Sequence, residues 1–298
     1  MLTIFTPAYN RAELLKRAYD SLKKQTCGDF CWLIVDDGSS DDTGKVVREF
    51  IDEGILRIEY HYQENGGKMR AHNRGVEYCK TDWFLCLDSD DHLTKTAVEE
   101  ISKQIKAIED NKFGNSEDIA GIIGHKGKSD TELLSGTEFP VCLREHNKPV
   151  RTTLYGLYLK GFKGETTLVF KTKVLREYPF PQINGEKYVP EDYIYDKIDQ
   201  KYEYILLDRI LTVCELVASG YTDSVRMLKE NNVQAWYLYY EQRARITPVS
   251  ILKLKYLGFY RLYAKMAGKS LDEAKDISRG YKLLGIPGEV ILRITGRI

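Results

Sequence analysis

Three clusters of polar side chains follow strand-like segments near the start of the chain. They are Pro7-Ala8-Tyr9-Asn10-Arg11, Asp36-Asp37-Gly38 and Asp88-Ser89-Asp90-Asp91. In an open parallel sheet, ligands bind beyond the carboxyl ends of the strands, so three clusters at successive strand ends describe a single crevice. The carboxylates of Asp88 and Asp90 are hard oxygen ligands, which suit Mg2+ or Mn2+ bridging to a diphosphate. These residues therefore predict a site for a diphosphate and a divalent metal.

Each cluster also has a purely structural explanation. Asp88-Ser89-Asp90 can be an Asp-rich turn whose side chains accept loop amides, and Asp36-Asp37-Gly38-Ser39 can be a turn followed by a helix cap. Asn65-Gly66-Gly67-Lys68 opens a helix, where glycine-rich backbone can bind an anion, but such a segment alone is more often an ordinary loop. Tyr9 can stack on a nucleobase or pack in the core. Asp88-Ser89-Asp90 favours a ligand site even by itself, and the combination strengthens that interpretation.

Strand and helix signals alternate over residues 1–125, which predicts an α/β fold with a mostly parallel central sheet flanked by helices. Trp32-Leu33-Ile34-Val35 is fully apolar, as expected of a strand buried on both faces. Asn10, with Glu13 three residues later, matches a capping box for the first helix. Beyond residue 220 the pattern is helical, and Thr247-Pro248 predicts a helix start. These elements would place the polar clusters at one edge of the sheet.

The composition excludes several classes of protein. The 298 residues are 43% hydrophobic and 30% charged, which is typical of a globular chain. Lys and Arg total 44, as do Asp and Glu, whereas a general nucleic-acid binder is usually basic, so no nucleic-acid partner is expected. No apolar run reaches the roughly 18 residues of a membrane span, and the N-terminus lacks the features of a signal peptide. Six cysteines without paired zinc-site spacing indicate a reducing, cytoplasmic location.

Five ordered blocks of the chain together resemble family 2 glycosyltransferases of the GT-A fold. The blocks are Thr6-Pro7-Ala8-Tyr9-Asn10-Arg11, Ser21-Leu22-Lys23-Lys24-Gln25-Thr26, Leu33-Ile34-Val35-Asp36-Asp37-Gly38-Ser39-Ser40-Asp41-Asp42-Thr43, Asn65-Gly66-Gly67-Lys68 with Asn73-Arg74-Gly75, and Leu87-Asp88-Ser89-Asp90-Asp91. A further stretch resembles the acceptor-side half of bacterial members that build surface polysaccharides. It comprises Gly164-Glu165-Thr166-Thr167 and Gly185-Glu186-Lys187-Tyr188-Val189-Pro190-Glu191-Asp192.

The resemblance implies an inverting, metal-dependent transfer of a sugar from a nucleotide-diphosphate-sugar, most commonly a UDP-sugar. The acceptor would be a hydroxyl of a saccharide or lipid-linked molecule in polysaccharide or cell-surface glycan biosynthesis, and the cofactor Mn2+ or Mg2+. The residues implied to bind the nucleotide are Pro7, Tyr9, Arg11, Asp37, Asn65, Lys68, Asp88 and Ser89. Asp90 would be the principal metal ligand, with Asp88 and Asp91 beside it.

On the acceptor side, Asp192 matches the position of the family's general base. Glu165 and Glu191 would lie near the acceptor or donor sugar. Without the resemblance, Asp192 is better explained as an acidic residue in the first turn of a helix after Pro190, where the helix dipole stabilises it.

The resemblance also divides the chain into three parts. Residues 1–125 would form the nucleotide-sugar-binding half of the GT-A domain, 126–219 its acceptor-binding half, and 220–298 a helical extension. Two other enzyme classes fit poorly. A haloacid-dehalogenase-type phosphatase would have Thr or Val at the position of His92, and a sugar-nucleotide pyrophosphorylase would have a glycine-rich basic loop where Pro7-Ala8-Tyr9-Asn10-Arg11 stands. A non-catalytic scaffold that only binds a nucleotide sugar is the alternative from another class.

The C-terminal segment 242–298 is basic, with 12 Lys and Arg against 4 Asp and Glu. One stripe of its helical pattern is apolar, and the opposite side is basic. The stripe contains Leu252, Tyr256, Phe259, Tyr260, Tyr263 and Met266, and the basic side Lys255, Arg261 and Lys265. Such a helix suits an anionic membrane surface, but packing on the domain explains the stripe equally well. Peripheral attachment to the inner face of the cell membrane therefore stays open.

Overall fold

The computed structural model describes residues 1–134, 138–140, 150–214, 225–271, 274 and 277–294. The chain forms two units. The first comprises Met1–Pro179 and Ile194–Ala218, and the second Phe180–Tyr193 and Ser219–Ile298. A nine-stranded sheet organises the first unit, whereas the described part of the second is mainly helical.

The strands and helices of the first unit alternate from the start of the chain, as expected. The strands are β1 (Leu2–Ala8), β2 (Phe30–Asp36), β3 (Ile58–Tyr62), β4 (Trp83–Cys86), β5 (Asp91–Leu93), β6 (Ile119–Gly127), β7 (Arg151–Thr152), β8 (Thr166–Lys171) and β9 (Glu203–Cys214). The helices are α1 (Ala12–Lys23), α2 (Thr43–Glu53), α3 (Lys68–Tyr78), α4 (Ala97–Glu109), α5 (Leu154–Leu159) and α6 (Thr172–Glu177), and α7 (Asp192–Ile198) begins in the second unit.

The sheet has the order β3-β2-β1-β4-β8-β6-β9-β5, with β7 paired to β9. The four strands β3, β2, β1 and β4 are parallel, and the register pairs Ala8 with Asp36 and Asp36 with Tyr62. The carboxyl ends of β1, β2 and β3 are therefore level, so the segments that follow them leave the sheet at one edge. This is the edge at which the sequence predicts the crevice.

Beyond β4 the sheet becomes mixed, because β8 runs antiparallel to both β4 and β6, and β9 then runs parallel to β6. Helices cover both faces. Leu15 of α1 and Ile101 of α4 pack with Leu2 and Ile4 in one core, while His72 of α3 contacts the Phe5 ring edge-on from the opposite face. The predicted α/β class is thus confirmed, with its parallel character concentrated in the N-terminal part.

Two predicted helix starts are wrong. Helix α1 begins at Ala12 after Arg11, without a side-chain cap. Asn10 has a φ of 53°, and its Oδ1 accepts the N–H of Ser40 at 2.8 Å, so it joins two loops instead of capping a helix. Helix α10 (Ile251–Met266) is capped by the Ser250 hydroxyl, which accepts the N–H of Lys253 at 3.3 Å. The hydroxyl of Thr247 donates to the carbonyl of Arg243 at the end of the preceding helix.

The helices of the second unit, besides α10, are α8 (Val225–Asn231), α9 (Val233–Ile246) and α11 (Arg279–Ile294). Helices α9 and α10 share an aromatic core, in which Tyr240 stacks on Phe259 at 4.5 Å and lies 5.1 Å from Tyr263, measured between ring centroids. The aromatic stripe predicted from the sequence is therefore buried within this unit, although Met266 at its end is exposed. Among the described helices, none is both long and apolar enough to span a bilayer.

Candidate functional site

Hydrogen bonds join the loops that follow β1 and β2 into one rim. The backbone N–H of Asn10 donates to the Ser39 hydroxyl at 2.9 Å, and the N–H of Arg11 donates to the Thr43 hydroxyl at 2.9 Å. The N–H of Ser40 returns a bond to Asn10. Two of the three polar clusters are thereby fixed relative to each other by main-chain donors and short side chains, which leave little conformational freedom.

Three predicted nucleotide-binding residues lie on or beside this rim. Pro7 is in β1, opposite Val35 of β2. The Tyr9 side chain is 48% exposed, so it does not pack in the core and its ring is open to stacking. The Arg11 guanidinium donates to the Asn10 carbonyl at 3.2 Å.

Asp36 is a structural residue. Its Oδ1 accepts the N–H of Ser39 at 2.8 Å, and its Oδ2 accepts the Tyr60 hydroxyl at 2.8 Å. Burial and the bond to Asp36 together raise the pKa of Tyr60. Asp36 therefore holds the turn after β2 from inside the protein, in agreement with the turn interpretation of this cluster.

The neighbouring carboxylate, Asp37, is buried and accepts four hydrogen bonds. Its Oδ1 accepts Gln63 Nε2 at 2.6 Å and the N–H of Gly66 at 2.8 Å, while its Oδ2 accepts the N–H of Gly67 at 2.7 Å and Asn65 Nδ2 at 3.2 Å. A carboxylate offers about four acceptor positions, so these donors fill it. Asp37 thus fixes segment 65–67, which leads into α3.

Two glycines make this arrangement sterically feasible. Gly67 has a φ of +91°, a region that L side chains rarely adopt. Gly38 has a φ of +83°, and a Cβ there would lie 2.7 Å from the backbone nitrogen of Asn65. The close approach of the β2–α2 turn to segment 65–67 therefore depends on the absence of a side chain at Gly38.

Helix α3 begins with Lys68, and its ammonium lies 2.7 Å from Asp88 Oδ1. A second ammonium, that of Lys126 on β6, lies 2.9 Å from Asp91 Oδ2 and 3.9 Å from Asp88 Oδ2. Two lysines and two aspartates therefore form one charged cluster at the end of β4. The Asp88 side chain keeps 32% exposure and that of Asp91 only 7%, so Asp88 is the more accessible carboxylate.

The charges of this cluster shift one another's proton affinities. Burial alone would raise the pKa of Asp88. The positive charges of Lys68 and Lys126 outweigh this effect and lower the pKa of Asp88 to about 2. Burial raises the pKa of Asp91, and the attraction of Lys126 offsets this only in part. Burial lowers the pKa of Lys126, but Asp88 and Asp91 together raise it above its ordinary value. Asp88 is therefore ionised and Lys126 protonated at neutral pH.

Asp90, the predicted principal metal ligand, differs from its neighbours. It is partly exposed, and within the described residues its carboxylate makes no hydrogen bond or ion pair. Ser89 beside it is buried, and the N–H of Asp91 donates to the Asp88 carbonyl at 3.0 Å across the turn. This turn leaves the Asp90 carboxylate available to a ligand.

The described parts of the chain contain no group of three or more His, Cys, Asp or Glu side chains placed to hold a metal by themselves. Mg2+ in phosphate-binding sites is commonly held by one or two carboxylates together with oxygens of the substrate phosphates and water. Asp90, with Asp88 next to it, provides such a partial set. The residues therefore fit a divalent metal shared with a diphosphate, not a metal held by the protein alone.

Lys126 was not among the residues predicted from the sequence. Its only signal is a lysine near the end of the mostly apolar strand β6, whose burial is nearly continuous. A lysine in a largely buried strand needs acceptors for its ammonium, but the sequence could not identify them as Asp88 and Asp91, which lie about 35 positions away. Glu165 is exposed, and its backbone carbonyl accepts the N–H of Lys126 at 3.2 Å.

The predicted base belongs to the second unit, as does Glu191. Asp192 is the first residue of α7, and its Oδ2 lies 3.0 Å from Nη2 of Arg243 and 3.5 Å from the Tyr239 hydroxyl. Burial raises the pKa of Asp192, Arg243 lowers it and Glu191 raises it, so that the pKa ends above its ordinary value. Arg243 is a second residue that sequence reasoning missed.

Known glycosyltransferases resemble this chain in sequence. Residues 3–176 match the profile described as Glycosyl transferase family 2. An uncharacterised glycosyltransferase of Rickettsia conorii is 34% identical over 143 residues, which are 47% of this chain and 23% of that protein. A PGL/p-HBAD biosynthesis glycosyltransferase of Mycobacterium bovis is 38% identical over 93 residues, 31% of this chain and 36% of that protein. The chain thus matches only a minor part of each relative's length.

Solved structures resemble the whole chain at low identity. Staphylococcus aureus TarS 1–349 in complex with UDP-GlcNAc has a TM-score of 0.61 and 16% identity, over 96% of this chain and 79% of that one. Mannosyltransferase PcManGT of Pyrobaculum calidifontis, in complex with GDP-Man and Mn2+, has a TM-score of 0.57 and 17% identity. The match covers 95% of this chain and 82% of that one. This likeness confirms the predicted GT-A fold. Since the family profile covers more than half of the residues, the protein belongs to glycosyl transferase family 2.

Proposed function

We propose that this protein is an inverting glycosyltransferase that moves a sugar from a nucleotide-diphosphate-sugar to a hydroxyl group. The observation that carries the proposal is the cluster at the end of β4, where the available carboxylate Asp90 lies beside Asp88 and the ammonium groups of Lys68 and Lys126. Carboxylates for a metal and cations for phosphate oxygens are what a diphosphate leaving group requires. Family membership and the nucleotide sugars bound by TarS and PcManGT support the same donor class.

The nucleotide would lie along the rim formed by the loops after β1 and β2. The exposed Tyr9 ring is suited to stack on the base. Asp37 and Asn65 hold segment 65–67 and thereby set the position of Lys68. A nucleoside N–H could bind Asp37 directly only by sharing an oxygen that already accepts two bonds. We propose UDP as the nucleotide, with GDP as the alternative to be tested.

In the proposed reaction the acceptor hydroxyl oxygen attacks the anomeric carbon from the face opposite the diphosphate. The new C–O bond forms as the bond to the diphosphate breaks, and the hydroxyl proton passes to the carboxylate of Asp192. A bound Mn2+ or Mg2+, held by Asp90 and Asp88, would stabilise negative charge on the departing diphosphate. Lys68 and Lys126 would add positive charge on the same side.

The finer assignments are part of the proposal. The acceptor would be a saccharide or lipid-linked molecule in polysaccharide or cell-surface glycan biosynthesis, handled at the cytoplasmic face of the membrane. Residues 1–125 would bind the donor and 126–219 the acceptor, with Lys126 contributed to the donor side from just beyond that division. Because the aromatic stripe is buried, membrane attachment would rest on the basic charge of segment 242–298.

A thermal-shift panel tests the donor class. UDP, GDP, UDP-GlcNAc, UDP-glucose, UDP-galactose and GDP-mannose would each be added with and without Mn2+, because a ligand that binds only the folded state raises the melting temperature by mass action. We expect a metal-dependent rise with one nucleotide and its sugars. The proposal is wrong if no compound in the panel raises it. The donor that stabilises the protein most is then incubated with it, with water as the acceptor. An enzyme should release nucleotide from this donor, whereas a non-catalytic binding scaffold should not.

A further inference from the structure

We propose that the helical C-terminal segment is part of the catalytic apparatus, with Arg243 of α9 as the positioning residue that orients Asp192. This inference rests on the proposed function, in which Asp192 accepts the acceptor proton. It assigns a catalytic purpose to a helix that lies wholly outside the part of the chain matched by the family profile, residues 3–176.

The first step of the argument is that the segment leading to Asp192 is attached to the beginning of α9. The two carboxylate oxygens of Glu186 accept the N–H groups of Gln234 and Ala235, at 2.7 and 2.8 Å. These donors belong to the first turn of α9, which has no preceding carbonyls for them, so Glu186 acts as its cap.

The same attachment is reinforced from the helix side. Oδ1 of Asn232, the residue before α9, accepts the N–H groups of Lys187 and Tyr188, each at 3.0 Å. Four hydrogen bonds from main-chain N–H groups therefore join segment 186–188 to the start of α9.

Further along α9, two side chains reach the start of α7. Gln242 Nε2 donates to the Tyr193 carbonyl at 2.8 Å, and Arg243 Nη2 pairs with Asp192 Oδ2 at 3.0 Å. The base is therefore held at its side chain and at the next carbonyl by consecutive residues of one helix.

Arg243 is itself held rigidly. Its side chain is 5% exposed, and its guanidinium carbon lies 5.3 Å from the Tyr239 ring centroid and 5.8 Å from that of Tyr256. Both distances are within the range of cation–π contacts. A buried planar guanidinium in contact with two rings defines the direction of its N–H groups, which a flexible lysine would not do.

The two oxygens of Asp192 are used differently. Arg243 and the Tyr239 hydroxyl both bond to Oδ2, whereas Oδ1 has no hydrogen bond within the described residues. The Asp192 side chain is also 49% exposed, although Arg243 is buried. One oxygen is thus anchored and the other is left to accept a proton, which is the arrangement a general base needs.

The charged and titratable groups facing Asp192 are Arg243, Glu191 and the Tyr239 hydroxyl. Arg243 is the cation among these three groups, and it opposes the effects of burial and of Glu191 on the pKa of Asp192. Loss of the guanidinium charge should therefore raise that pKa and move the acid limb of the rate profile to higher pH.

The test compares Arg243→Gln, Arg243→Lys and Arg245→Gln in the full chain. Arg245 lies on the same helix in an exposed pair with Glu241, which makes it the matched control. Each variant is assayed for nucleotide release, with Mn2+, from the panel donor that stabilises the wild type most. Donor KM, melting temperature and the pH dependence of kcat are measured together.

We expect Arg243→Gln to lower kcat by about 10²-fold, since a misplaced catalytic group can cost this much, with donor KM unchanged. The acid limb should move up by about one pH unit, because a neighbouring Arg typically shifts a carboxyl by this amount or more. Arg243→Lys should return the limb to its wild-type position but recover only part of kcat. Arg245→Gln should match the wild type in every measurement.

The inference is wrong if Arg243→Gln keeps the wild-type kcat. It is also wrong if this variant loses kcat while the acid limb of its pH profile stays where the wild type has it. If that variant does not fold, Arg243→Lys decides, and full wild-type kcat in it counts against a positioning role. Failure of the proposed function looks different, because the wild type itself would then release no nucleotide. Wild-type kcat in Asp192→Asn would show that the base lies elsewhere.

Discussion

The ammonium of Lys126 lies between two carboxylates, 2.9 Å from Asp91 Oδ2 and 3.9 Å from Asp88 Oδ2. Asp91 is almost completely buried, so this ion pair is largely shielded from water, and an unpaired charge there would be costly. The pair joins β5 to β6, which are not neighbours in the sheet. Lys126 therefore supports the turn that carries Asp88, Ser89 and Asp90 in addition to supplying charge.

We expect Lys126→Met to lower the free energy of unfolding by about 3 kcal/mol, because it leaves the buried Asp91 without its cation. Urea denaturation measures the loss. Lys128→Met is the matched control, since Lys128 pairs with Glu132 at the surface, where an ion pair contributes about 0–1 kcal/mol. Equal losses in the two variants would show that the Lys126 pair has no special energetic importance.

Gly38→Ala should disturb segment 65–67. The new Cβ would meet the backbone nitrogen of Asn65 at 2.7 Å, in addition to adopting an unfavourable positive φ. Gly54→Ala is the control, because Gly54 also has a positive φ but nothing lies within 4 Å of its Cβ. The φ alone costs about 1–2 kcal/mol in each variant. Only Gly38→Ala should also weaken nucleotide binding, as measured by calorimetry, and intact affinity in it would contradict this reading of the turn.

Asp90→Asn should abolish the Mn2+-dependent part of nucleotide binding and leave the fold intact, because the amide keeps the shape but loses the charge. The measurement is the shift in melting temperature with nucleotide, with and without Mn2+. Asp82→Asn, at an exposed position just before β4, should behave like the wild type. Binding that still responds to Mn2+ in Asp90→Asn would remove Asp90 from the metal site.

Asp192→Asn should lower kcat by about 10²–10⁴-fold, the usual contribution of a general base, with little change in donor affinity. In the wild type the carboxylate must be ionised to accept a proton, so kcat should fall as the pH decreases through the pKa of Asp192. Because the partial burial of Asp192 raises that pKa above its ordinary value, the decline should begin at a higher pH than for a fully solvated aspartate. Glu191→Gln should have the smaller effect, and the reverse order would favour Glu191 as the base.

Membrane attachment through segment 242–298 should be electrostatic. With the aromatic residues of its stripe packed inside the second unit, the segment offers basic charge to an anionic surface. Flotation at low salt should recover more protein with anionic vesicles than with neutral ones, and raising the salt should remove the difference. Equal recovery on both vesicle types at low salt would exclude this partner.

The sequence predicted the parallel strands and the polar segments at their ends because both depend on local patterns. The apolar run at Trp32-Leu33-Ile34-Val35 becomes β2, and the Asp-rich segment after β4 becomes the charged turn. The partners that are distant in the chain were missed. Lys126 and Arg243 gain their importance only through contacts with residues 35 and 51 positions away, which no periodicity or spacing reveals.

Asn10 illustrates a different kind of error. Its type and its distance from Glu13 match a helix cap, and the same amide oxygen can equally accept a bond from a distant loop. The β2–α2 loop reaches Asn10 because β1 and β2 end level with each other, and the N–H of Ser40 takes the position that a helix donor would have had. Tertiary structure therefore decided between two local possibilities.

The four hydrogen bonds received by Asp37 have a thermodynamic consequence for ligand capture. Segment 65–67 is held by the chain's own donors and a single carboxylate, so it does not have to be ordered when a ligand arrives. The entropy lost on association should then come mainly from the ligand itself. Structures with and without nucleotide should accordingly superimpose closely at Asn65, Gly66 and Gly67.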